Sequence, residues 1–117
     1  MANLIAHEKI QYKLSNFYDI RFEQDEEYHF LVFKAPKLRD NLTVHLMGVT
    51  TQEGKAIRLE IYEDVWNDKW ARVEAGSVII IKGCAHRMHQ CAVVMIASKL
   101  IKIMPQQLIM VVPQNLP

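Results

Sequence analysis

Two alternating runs set back to back constrain this chain more than any other feature. In Lys55–Tyr62, KAIRLEIY, residues Ile57, Leu59 and Ile61 point one way while Arg58 and Glu60 point the other. A period of two belongs to a strand with one buried face; a helix would mix the two sets. Leu42–Val49, LTVHLMGV, has the same rhythm, with Leu42, Val44 and Leu46 on one face and Thr43, His45 and Met47 on the other. Between them lies TTQEG, a hairpin loop with glycine near its end. The pair commits this part of the chain to antiparallel sheet.

Three more strands are expected on either side. Tyr28–Ala35, YHFLVFKA, is aromatic and β-rich, and Ser77–Gly83, SVIIIKG, is largely β-branched. Cys91–Ile103, CAVVMIASKLIKI, is the fifth, with Leu100 out of phase with Ile101 and Ile103, as a bulge or bend requires. AHRMHQ forms the tip of the hairpin joining the last two. Between the third and fourth strands, DVWNDKWARVEAG is too short and polar for a strand. Val65, Lys69, Arg72 and Val73 have near-helical spacing, with Trp66 and Trp70 at i and i+4, so a short helix is expected in this stretch, with Gly76 as its terminator or turn.

At 117 residues, half of them hydrophobic, the chain suits one domain with a single core. The charges nearly cancel, 14 Lys+Arg against 13 Asp+Glu, so any nucleic-acid site must be a local basic face. The start, MANLIAHEKIQYKL, lacks the apolar core and cleavage site of a signal peptide, and no apolar run approaches a membrane span. Two cysteines are too few for a disulfide scaffold. A cytoplasmic protein without membrane contact is the expectation.

The order strand, strand, strand, short helix, strand, strand is that of the five-stranded Greek-key barrel called the OB-fold, whose helix plugs one end. The expected class is therefore all-β with short helices. Residues 27–104 would form the barrel and residues 1–26 an N-terminal extension. In that extension, Asn3 would cap a helix carrying Leu4, Ile5, Ile10 and Leu14, and NFYDIRF would be a strand with Tyr18, Ile20 and Phe22 on one face. The acidic Glu23–Glu27 would be a solvated turn. Residues 105–117 form an apolar tail. Its Leu108–Val112 segment would either pair with the N-terminal region as an extra strand or serve as an interaction peptide for a larger partner.

IRLEIYEDVWNDKWARVEAGSVIIIKG resembles the nucleic-acid-binding OB domains of the tRNA-anticodon type, including the one in bacterial replicative DNA polymerase alpha subunits. Ile57–Tyr62 matches strand three, Glu63–Arg72 the helix, Val78–Gly83 strand four with its terminal glycine, and Val93–Ile103 strand five. The resemblance covers Ile57–Ile103, and Tyr28–Ala56 by strand order alone. It implies single-strand binding on the face of strands two and three, between the first and last loops.

Those regions supply the expected site. Lys34, Lys37 and Arg39 lie in KAPKLRDN, taken as the first loop, where cations suit phosphates. On strands two and three, one face is expected to carry Thr43, His45, Met47, Arg58, Glu60 and Tyr62, with Lys55 at its end. Arg58, with Lys34, Lys37, Arg39 and Arg87, would track phosphates, and His45 and Tyr62, with His86 or His89, would stack on bases. His86, Arg87 and His89 would line the last loop. CAHRMHQC, Cys84–Cys91, offers four zinc-binding side chains, but strand alternation keeps them from one face, so no metal is expected and the cysteines read as small core residues.

No phosphate-binding glycine loop or nucleophile motif is present. The expectation is a non-enzymatic, cofactor-free OB-fold protein that binds single-stranded DNA in replication, recombination or repair. The alternative is an accessory subunit with weak DNA binding of its own, docked on a DNA polymerase or helicase through the tail or the helix.

Overall fold

A computed structural model describes residues 10–39, 43–88, 92–104 and 109–111. Five strands close into a barrel: β2 (Glu26–Leu38), β3 (Val44–Thr50), β4 (Ala56–Tyr62), β5 (Val78–Arg87) and β6 (Val93–Met104). Their order around the barrel is β2-β3-β4-β6-β5, with β4 and β6 parallel and the other pairs antiparallel. This is the OB-fold arrangement. A short strand β1 (Ile10–Tyr12) lies parallel to β7 (Ile109–Val111), forming a separate two-stranded sheet.

Closure depends on the length of β2. Its first half pairs with β5 and its second half with β3, and Leu31 is partnered on both sides, by Val78 and Thr50. Tyr28, Phe30 and Val32 of β2, Ile57, Leu59 and Ile61 of β4, and Ile79 and Ile81 of β5 fill the interior. Each such aromatic or branched side chain contributes roughly 1.5–3 kcal/mol on burial.

β6 contains two bulges. Ile80 pairs with Lys102 but Ile81 with Leu100, and Lys82 pairs with Lys99 but Gly83 with Ala97. The extra residues are Ile101 and Ser98, so Leu100 turns into the core, as its phase demanded. The Lys69 ammonium lies 3.1 Å from the Ile101 carbonyl oxygen and donates to it at the first bulge. At the second, a Cβ on Gly83 would stand 2.5 Å from the Ile96 carbonyl oxygen. Gly83 therefore permits a close backbone approach in mid-strand, and β5 continues past it to Arg87 rather than ending there.

Several local expectations are corrected. The segment between β4 and β5 is a series of turns with one 3-10 turn, Trp70–Arg72, and not a helix over 63–72. Trp70 and Val73 of this segment are buried in the core cluster, Trp70 fully, and Val65 and Trp66 pack against it. Phe17–Asp19 is a 3-10 turn and not a strand; Ile20 is buried while Tyr18 is 73% exposed. Ile10–Tyr12 is extended and not helical; the other end of the expected helix, residues 1–9, lies outside the described residues. Glu26 and Glu27 belong to β2 and only 23–25 turn. The tail's pairing with the N-terminal region is present as β1–β7.

The N-terminal segment is fastened to the barrel. Ser15 exchanges hydrogen bonds with the His29 backbone, covering the edge of β2 that β3 does not reach. Leu14 packs with Val78, Leu31 and Met104, and Tyr12 stacks on His29. The Leu14 amide donates to Gln52 Oε1 and the Phe17 amide to the Glu53 carboxylate, which ties the segment to the β3–β4 turn. Burial alone would push the Glu53 carboxyl up; hydrogen bonds from Thr51 and from the Glu53 and Phe17 amides, with the Lys55 charge, outweigh it and hold the carboxyl below its ordinary value.

Candidate nucleic-acid interface

The outer surface of β2, β3 and β4 holds a groove of about 570 Å³. Its walls carry Lys34 and Lys37 from the second half of β2, Arg39 just past its end, and Arg58 from β4. Phe33, Leu38, Leu46 and Ala56 give it an apolar lining, and no acidic residue lines it among the described residues. KAPKL is therefore strand and not loop, because β2 runs to Leu38.

Bulges explain how a strand places so many side chains in one groove. Val32 pairs with Val49 and Lys34 with Gly48, so Phe33 and Lys34 together oppose one residue of β3. Lys34 to Lys37 then spans one more residue than Gly48 to Leu46. Such bulges re-aim side chains and increase twist, and Pro36 fits here because this stretch of ladder is already irregular. Residues 33–35 are all exposed, which strict alternation forbids.

The β3–β4 register corrects the expected face. His45 pairs with Ile61, Met47 with Leu59 and Gly48 with Arg58. His45 and Met47 thus share the inward face of β4, while Val44, Leu46 and Gly48 share the outward face with Tyr62, Glu60 and Arg58. A shift of one residue exchanges the faces. The His45 ring lies 3.5 Å from that of Trp66, at 3° to it, away from the groove. Its Nδ1 is buried without a hydrogen bond, and burial holds the imidazole below its ordinary histidine value, opposed by the Glu63 charge.

The structure thus brings Lys34, Lys37, Arg39 and Arg58 together, and it separates the remaining candidates from the groove. Tyr62 is exposed further along the outward face of β4, its hydroxyl donating to Glu60 at 3.3 Å. Burial raises the Tyr62 phenol above its ordinary value, helped by the Glu60 charge. The Lys55 ammonium sits 4.0 Å over the Phe17 ring. Arg87 lies over the exposed Phe22 ring at 4.8 Å. His86 places Nε2 3.3 Å from the Cys84 sulfur, and burial, aided by Asp25, raises that thiol. Cys84 is half-buried at the surface and absent from the core clusters. His89 and Cys91 lie outside the described residues, and among the described residues no cluster of His, Cys, Asp and Glu suits a metal ion. Phe33 and Gly48 escaped sequence reasoning; the signal available was Pro36 close behind a run of aromatic strand residues.

Among the described residues no helix is long and apolar enough to cross a membrane. No protein-family model matches this chain, and a search of curated proteins found no match.

Proposed function

We propose that this OB-fold protein binds single-stranded DNA in replication, recombination or repair, and that the strand runs through the β2–β3–β4 groove. The observation that carries the reading is the set of three cations, Lys34, Lys37 and Arg39, around one groove, with Arg58, ion-paired to Glu60, beside them. Cations in that arrangement neutralise successive phosphates, while an apolar floor favours bases over water. The resemblance of the strands within Ile57–Ile103 to those of OB domains of the tRNA-anticodon type supports the same reading, although turns stand where it matched a helix.

The second reading is an accessory subunit that meets a polymerase or helicase through protein contacts. The exposed apolar side chains of Phe33 and Leu38 favour it. Fluorescence anisotropy with labelled single-stranded DNA, duplex DNA and single-stranded RNA, across a salt series, separates the two. Single-strand binding with a log–log salt slope near −2, about 0.7 for each of three phosphates, supports the first. Absence of binding to all three at low salt removes it and favours the accessory role. Deleting residues after Met104 then tests the tail: lost assembly with intact folding places the partner contact there.

A further inference from the structure

Among the described residues Phe33 is the one large aromatic side chain on the groove wall, and it is 49% exposed. A buried aromatic needs no further account, whereas an exposed one in a cationic groove does. Its position is set from two sides. The bulge between Val32 and Lys34 turns it outward opposite Gly48. Gly48 then leaves the space the ring occupies: a Cβ there would lie 2.5 Å from Phe33 Cζ and 2.7 and 2.9 Å from its two Cε atoms. The glycine is not required by its backbone angle, since its φ is not in the left-handed region. It is required by the ring. Directly across from Gly48 on the next strand stands Arg58.

We infer that Phe33, seated on Gly48, is a base-stacking platform, and that Gly48 is the positioning residue that makes it one. This rests on reading the groove as a single-strand site and adds what that reading lacks, a contact to the base. One side of the ring lies over Gly48 of the sheet, and about half of the residue stays exposed. Its open side faces a groove whose cations hold the backbone of the same strand. Aromatic platforms of this kind accept any base, because every base has a π-face. The site therefore recognises a nucleotide with an intact base and discriminates against a bare sugar-phosphate chain.

The test compares a thymidine oligonucleotide with an abasic oligonucleotide of equal length and charge, by anisotropy at fixed salt. The wild-type protein should bind the base-bearing strand at least about fivefold more tightly. Phe33→Leu keeps apolar bulk without the π-face, and Gly48→Ala displaces the ring; each should erase that preference while leaving the salt slope unchanged. Circular dichroism confirms folding, and the surface change Phe33→Leu keeps the test decisive if Gly48→Ala unfolds the barrel. Equal wild-type affinity for both strands overturns the platform but leaves the groove as a phosphate site. A preference that survives in Phe33→Leu also overturns it. Failure to bind either strand overturns the proposed function itself.

Discussion

The Glu60 carboxylate lies 3.2 Å from the Arg58 guanidinium on the outer face of the barrel, yet Glu60 is only 6% exposed. It stands between Leu46 of β3 and Ile96 of β6, both apolar, and takes its polar partners along its own strand, Arg58 on one side and Tyr62 on the other. A charge in that position needs its partner. Arg58→Ala is therefore expected to destabilise the fold by about 1–3 kcal/mol, toward the lower end because the arginine is part-exposed. Adding Glu60→Gln to Arg58→Ala should recover much of the loss. Urea denaturation of the two single variants and the double variant measures it; strictly additive losses would separate the two residues energetically.

The groove cations should read out in the salt dependence of binding. Lys34→Ala with Lys37→Ala should lower the slope for single-stranded DNA by about 1.4, or 0.7 per phosphate lost. Lys55→Ala, whose ammonium rests on Phe17 outside the groove, should leave the slope unchanged. Equal effects at Lys34 and Lys55 would move the path of the strand away from β2.

His45 gives the fold an acid sensitivity with a defined sign. Burial depresses its folded pKa below the unfolded value of about 6.5. Its contribution is therefore complete above that value and is lost as pH falls from there through the depressed folded pKa. Urea midpoints should fall between pH 8 and pH 5.5, and His45→Gln should flatten that decline. Because Trp66 stacks on His45, emission of the folded protein should change only as pH falls below about 6.5, where the depressed imidazole takes up its proton. A pH profile identical in His45→Gln would assign the sensitivity elsewhere.

Trp70 is the largest side chain that the turns between β4 and β5 bury in the core. Its truncation to alanine should cost about 3–5 kcal/mol, the range for large aromatic side chains in a core. Trp66→Ala should cost less, since Trp66 is only partly buried. Thermal or urea unfolding ranks the two, and a larger loss at Trp66 would contradict that order.

What the sequence determined by itself is the five barrel strands and their order. Ile57, Leu59 and Ile61 alternate cleanly, and β4 buries those three; Leu100 is out of phase, and a bulge lies beside it. Local periodicity contains this information because one face of each strand must meet the core. The turns between β4 and β5 escaped local reading because their near-helical spacing is met by burial of Trp70 and Val73 at a single 3-10 turn and not by a helix. Only the tertiary structure decided which faces share a surface. The β3–β4 register put His45 beside Ile61 and Gly48 beside Arg58, and pairing register depends on turn geometry and on burial across strands, not on either strand alone. The bulges of β2 likewise depend on its partners. They brought Phe33 and Lys34 opposite one glycine and converted an expected loop into the wall of a groove.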